Sequence, residues 1–281
     1  MNYRLEPSEI PLISGPITSS NRRNANHQPV TNLGCCTPSE LFGRISLTRQ
    51  GTVCILGKAA RGIGVAKALI RRSGKPFLLL GTAADKDSAF SALKPDWKLN
   101  TVRQTLPSGS GALYLSQPSS SYLEFCQYLE AWSQTHFLIL HLGTGLQVGN
   151  DLFNVLPSLG QCLIFCDSLS TSLRRSESGT VPPLEFMKQI RYLLCFSAGG
   201  APKELIELLP TYQYERITNT MSFNGFRSFR HWQPGLSVSQ TRTLQDKKNV
   251  FEQDDLNAIF KGGKVIVYHS DADALYLAEL T

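Results

Sequence analysis

The chain has 281 residues, 42% of them hydrophobic and 18% charged, with a formal net charge of +6. These proportions suit a globular chain and exclude a fibrous or low-complexity one. No run approaches the roughly 18 consecutive apolar residues of a membrane helix, and the opening MNYRLEPSEIPLISG lacks an apolar signal core, so no membrane span and a cytoplasmic location are expected.

Residues 1–44 are polar and turn-rich and read as a flexible N-terminal tail; 45–281 read as a single α/β domain. Leu5, Ile10, Leu12 and Ile13 form an apolar cluster suited to docking on a partner. Within the tail, TPSELFGRI predicts a short helix, with Thr37 as cap, Pro38 as first residue and Glu40 closing a capping box.

From residue 51 to about 200 the pattern alternates strand and helix. A buried strand (Val53 to Leu56) leads into a glycine-bearing turn (Gly57 to Gly64), a helix (Val65 to Arg72) and a second buried strand (Phe77 to Leu80). A polar stretch follows (Lys86 to Thr105), then a strand at Gly111 to Leu115 and a helix from Ser121 to Thr135 with Leu123, Tyr128, Leu129 and Trp132 apolar. Next come the strand HFLILHL, a helix near Asn150 to Leu156, the strand CLIFC, a helix at Leu184 to Ile190, the strand RYLLCF and a helix opened by Pro202. Strands this apolar are covered on both faces, which predicts a three-layer α/β fold with a mostly parallel sheet.

Residues 210–250 interleave aromatic and basic side chains. They read as a loop packed on the domain edge, with stacking on nucleic-acid bases as the functional alternative. A helix (Gln253 to Phe260) and the strand KVIVYHS come next, and ALYLAEL closes the chain as a short helix or edge segment.

The basic doublets are dispersed along the chain, so a dedicated nucleic-acid surface is not indicated. Seven cysteines, mostly within apolar runs, suit a reducing environment. Cys162 and Cys166 flank LIF in a buried strand and read as small hydrophobes rather than a metal pair. Asp271 and Asp273 follow a strand, where they serve either a metal or a solvated turn. Ser168, Ser170 and Ser172 have no identifiable histidine and acid partners for hydrolysis.

Three readings of the glycine turn stand side by side. In the first, Gly57 and Gly62 have the spacing of a P-loop, whose amides cradle phosphates while a lysine and a hydroxyl serve phosphate and magnesium. Ile63 and Gly64 occupy the lysine and hydroxyl positions. Here the chain resembles the deviant P-loop ATPases of the ParA and MinD type, whose loop has an additional lysine after its first glycine, where Lys58 stands. In that family this lysine reaches across a dimer to the partner's nucleotide. The family's second strand ends in an Asp-rich turn, at whose positions Gly81 and Ala83 stand here, and its magnesium-site strand ends in Asp, where His141 stands.

The likeness spans about Thr52 to Ala201 and implies a P-loop NTPase-like fold with a vestigial nucleotide site at Gly57, Lys58, Gly62, Gly64 and His141. Without the lysine, hydroxyl and carboxylate, hydrolysis is lost. The resemblance therefore implies a bacterial pseudo-ATPase with a regulatory or assembly role, requiring no cofactor or metal and holding ATP or ADP, if at all, without turnover. Its partners would be proteins, in a homodimer or a heterodimer with a related ATPase or assembly component.

In the second reading, AARGIG resembles the NAD(P) turn of short-chain dehydrogenases, with Asp85 near the adenosine ribose. The pairing of a tyrosine with a lysine four residues later, which that family uses for catalysis, is absent from the sequence. In the third, the three glycines serve only a tight turn and close helix–strand packing.

Overall fold

The apolar runs form the sheet because Val, Ile, Leu and Phe fill both faces of a pleated strand. The computed structural model describes residues 30–45, 51–82, 89–115, 120–143, 146–173, 175–176, 179–224 and 235–281. Its strands are β1 (Val30–Cys36), β2 (Gly51–Leu56), β3 (Phe77–Thr82), β4 (Trp97–Leu99), β5 (Gly111–Leu115), β6 (Phe137–Leu142), β7 (Gln161–Cys166), β8 (Arg175–Ser176), β9 (Gly179–Thr180), β10 (Tyr192–Cys195), β11 (Thr211–Asn224), β12 (Gly235–Asn249), β13 (Lys264–His269) and β14 (Ala274–Leu280). The helices are α1 (Pro38–Arg44), α2 (Ala59–Ser73), α3 (Ser120–Thr135), α4 (Asn150–Val155), α5 (Leu169–Ser172), α6 (Pro183–Lys188), α7 (Pro202–Leu208) and α8 (Gln253–Lys261), with 3-10 turns at Ala89–Leu93 and Leu156–Ser158.

Among the described residues ten strands form one sheet in the order β1-β14-β13-β10-β2-β7-β6-β3-β5-β4. From β10 to β4 every neighbour is parallel. β13 runs antiparallel to both β10 and β14, and β1 runs parallel to β14. The fold is thus three-layered α/β with a mostly parallel sheet.

Alternating residues of each strand supply two cores. Val53, Ile55, Ile139 and Phe165 face α1, α2 and the 3-10 turn at Ala89–Leu93. Cys54, Leu56, Leu140 and Ile164 face α3, α4, α6, α7 and α8. In α3, Leu129 and Trp132 are buried, and the Trp132 indole donates to the Gln104 carbonyl at 3.2 Å.

Three expectations change. Residues 30–44, assigned to the tail, belong to the fold: β1 extends the sheet through β14, and α1 buries Leu41 and Phe42. The predicted capping box is present, with Glu40 N–H donating to Thr37 Oγ1 and Thr37 N–H to the Glu40 carboxylate. The docking cluster from Leu5 to Ile13 lies outside the described residues.

ALYLAEL is an interior strand between β13 and β1 rather than a helix or edge segment. Its burial on both faces suits its unbroken apolar run. Thr211–Asn224 and Gly235–Asn249 are strands rather than a loop. They make a separate antiparallel ribbon, β11 with β12, whose tip lies outside the described residues.

Asp271 and Asp273 sit in the β13–β14 turn. The Tyr268 hydroxyl donates to Asp273 Oδ1 at 3.2 Å, and Asp271 pairs with Arg191 Nε, tying the turn to the start of β10. Among the described residues no group of three or more His, Cys, Asp or Glu is placed to hold a metal ion.

All seven cysteines are free thiols. Cys54, Cys162 and Cys195 are fully buried, and burial raises their pKa; it pushes Cys166 up to about 11 and Cys126 up to about 12. Cys35 is the exposed one. Titration with an aromatic disulfide reagent is expected to give one fast thiol, removed by Cys35→Ser, with the others appearing only as the chain unfolds. Fast reaction of the Cys162 or Cys166 thiol in the native state would contradict this core.

Candidate functional site

The site the sequence points to lies at the C-terminal edge of the parallel strands, where β2, β7, β6 and β10 end. The chain leaves β2 for α2 on one face of the sheet and leaves β10 for α7 on the other. Adjacent strands whose connections diverge in this way open a crevice in α/β folds.

The turn after β2 is shorter than the glycine pattern predicts. Only Gly57 and Lys58 separate β2 from α2, which starts at Ala59. The predicted turn ran to Gly64, but Ala59, Ala60 and Arg61 are strong helix formers and take the first turn of α2 instead. A phosphate-wrapping loop needs those four residues between the glycines in a non-helical arc. The same holds for the dinucleotide turn read from AARGIG, while Asp85 lies outside the described residues.

Gly62 and Gly64 are therefore helical residues with separate duties. A Cβ at Gly62 would stand 2.6 Å from Phe165 Cε1 and 2.9 Å from Ile55 Cδ1, so its absence lets α2 lie directly on β2 and β7. At Gly64 the nearest atom is Pro38 Cγ at 3.5 Å, an ordinary contact with α1. Gly57 is a true turn residue, with φ +124°. Its N–H donates to the Cys166 carbonyl at 3.0 Å, and a Cβ there would stand 3.1 Å from Phe196 Cβ. Lys58, exposed, is the N-cap of α2 and offers no side-chain cap to its amides.

Ile63, in the phosphate-lysine position, is 8% exposed and belongs to the core beneath α2. His141, the penultimate residue of β6, is on that same face, two strand spacings from β2, or about 9.5 Å. Phe165 stands on the strand between them, in register with Ile55 on one side and His141 on the other. Phe90, from the 3-10 turn after β3, closes over it edge-on at 4.9 Å and lies 4.8 Å from the His141 ring. Ile63 and His141 share a face, and two fully buried aromatic rings occupy the ground between them.

Sequence reasoning passed over four contributors. Phe90 lies in a stretch read only as polar. Asp167, the residue after β7, brings its carboxylate to 3.8 Å from His141 Nε2, an ion pair whenever the imidazole is protonated. Ser197 and Gly200 lie in the turn after β10, and FSAGGAP, an apolar strand giving way to small residues, was a readable sign of it. Ser197 Oγ accepts from Gly199 N–H at 3.2 Å, and the Gly199 carbonyl accepts from Leu169 N–H at 2.7 Å. Gly200, at φ +77°, abuts Ser168, whose hydroxyl hydrogen-bonds Ser170 at 2.8 Å. The strand-end turns of β2, β7 and β10 are thus laced to one another.

Neither a protein-family model nor a curated protein matches the chain. Among solved structures, it is similar to the genome packaging NTPase B204 from Sulfolobus turreted icosahedral virus 2. The match to the AMP complex has 9% identity and a TM-score of 0.45, covering 84% of this chain and 100% of that one. The AMPPCP complex gives 8% identity and a TM-score of 0.46, covering 83% and 99%. The Legionella pneumophila ATPase DotB gives 7% identity and a TM-score of 0.29, covering 89% of this chain and 56% of that one. Likenesses this loose assign no function.

The two helical glycines give a paired test. Gly62→Ala is expected to destabilise by about 1–2 kcal/mol, overpacking against Phe165 outweighing the better helix propensity. Gly64→Ala, with room for its methyl, is expected to stabilise by up to about 1 kcal/mol. Denaturant midpoints read both. Equal and positive changes would mean that Gly62 is not a packing residue.

Proposed function

We propose that this chain is a non-catalytic relative of the P-loop ATPases, of the ParA and MinD type in its motif order, that acts as a regulatory or assembly protein through contacts with other proteins. One observation carries the reading: the positions that would bind phosphate and magnesium are filled by a helix turn and an aromatic wedge. Phosphoryl transfer runs on positioned charge. Here the arc that would wrap the phosphates is the first turn of α2, the lysine position is buried Ile63, and Phe90 and Phe165 lie between it and His141.

What persists is scaffold. The C-terminal edge keeps an exposed lysine at the start of a 15-residue helix, a half-exposed aspartate and turns tied together by backbone hydrogen bonds. A rigid edge with exposed charge suits recognition of another protein better than chemistry.

The test is phosphate release from ATP with magnesium, run beside titrations of ATP, ADP and NADPH. Release is expected to stay at the buffer rate, and Lys58→Ala to change nothing. Magnesium-dependent turnover that falls about tenfold or more in Lys58→Ala, the loss of a charge-assisted phosphate contact, would overturn the proposal. Tight NADPH binding would favour the dinucleotide alternative instead.

A further inference from the structure

Opposite the crevice, at the N-terminal edge where β2, β7 and β10 begin and β13 ends, lies a cavity of about 580 Å³. That is the size of a small-molecule site. Its walls are the start of β2, the segment before β7, the turn from α6 to β10 and the turn after β13.

An arginine on this wall is held from several sides. β2 opens on Gly51 at φ +119°, and a Cβ there would collide with the Arg191 stem. The glycine thus lets that stem cross the end of β2. Arg191 N–H donates to the Thr52 carbonyl at 3.1 Å, and the Arg191 carbonyl accepts from Ser270 N–H at 3.0 Å and Ser270 Oγ at 3.3 Å. Asp271 pairs with Nε and sets the direction of the guanidinium. Three strand ends therefore fix a cation on the cavity wall, its side chain 32% exposed. A guanidinium carries five donors in a fixed fork, a geometry that carboxylate and phosphate fit.

Lys188, on the same wall, meets Glu185 at 2.9 Å in an exposed pair, a contact weak enough to yield to another anion. Next to it, Gln189 Oε1 is shielded from water and accepts no hydrogen bond among the described residues. A buried acceptor in that state is destabilising until a donor arrives. The wall thus carries two cations against one carboxylate, with an acceptor that lacks its donor.

We propose that this cavity binds a small metabolite bearing both an oxyanion and a hydroxyl, of the sugar phosphate or hydroxy acid class. Arg191 and Lys188 meet the oxyanion, and Gln189 Oε1 accepts from the hydroxyl. The site lies a strand's length from Lys58 and His141, about 20 Å, and it stands whether or not the reading of the crevice does.

Isothermal titration calorimetry on the full chain tests it, with glucose 6-phosphate, citrate, inorganic phosphate and glucose as probes. Glucose 6-phosphate or citrate is expected to bind about tenfold or more tightly than inorganic phosphate or glucose, the first marking a phosphate site and the second a carboxylate site. Lys188→Ala should raise that Kd about tenfold and Gln189→Leu about fivefold. Gln189→Leu should meanwhile keep or raise the denaturant midpoint, which a purely structural amide would lower. Lys58→Ala, in the crevice, should leave the affinity as it is. The proposal fails if neither glucose 6-phosphate nor citrate binds, or if inorganic phosphate or glucose binds as tightly as they do. It fails equally if the affinity survives both Lys188→Ala and Gln189→Leu in folded protein, or if Lys58→Ala is the variant that loses it.

Discussion

The contact between Gly62 and the Phe165 ring governs this molecule. Without a Cβ, α2 settles directly onto β2 and β7. With one, the helix would have to lift or the ring to turn. That close approach has two consequences. It seats against the sheet the helix that Ala59, Ala60 and Arg61 begin, beside a two-residue turn after β2. It also fixes Phe165 where Phe90 can stack edge-on, so the space in front of β7 is filled by rings. Burying two phenylalanines contributes about 3–6 kcal/mol, a large share of a typical domain's net stability. A site for a hydrated, charged ligand could not share that space without giving this up.

The rest of the fold reinforces the closed edge. β7 lies between β2 and β6, so any group from the end of β6 must reach across a full strand to meet the end of β2. The turns after β2, β7 and β10 bond to each other's backbones, through Gly57 to Cys166 and Leu169 to Gly199. At the opposite edge, Arg191 and Asp271 join the start of β10 to the β13–β14 turn, clamping the one reversed strand to the parallel half.

Much of this was legible in the sequence because apolar runs of four to six residues admit few alternatives. CLIFC, FLILHL and YLLC became strands, and Thr37, Pro38 and Glu40 capped α1 through a local pattern that needs no tertiary context. What was not legible depended on distance. VTNLGCC has mixed polarity and becomes a strand only because the backbone of β14 is there to pair with it. Glycine was read as a turn at Gly62 and Gly64, whereas the intervening Ala-Ala-Arg decides for helix and the glycine serves a ring about a hundred residues away in the chain. Gly57, Lys58 and His141 lie toward the same C-terminal edge of the sheet. The Phe90 that separates His141 from α2 could not be seen, since nothing in DSAFSALKPDW marks a buried ring.

The most direct measurement is a crystal structure of the chain grown with a non-hydrolysable ATP analogue and magnesium. It should show α2 still helical from Ala59 and the Phe90 ring still seated between Phe165 and His141, with no triphosphate over residues 57–62. An α2 whose first turn has unwound around a bound phosphate, with Phe90 displaced, would contradict the account.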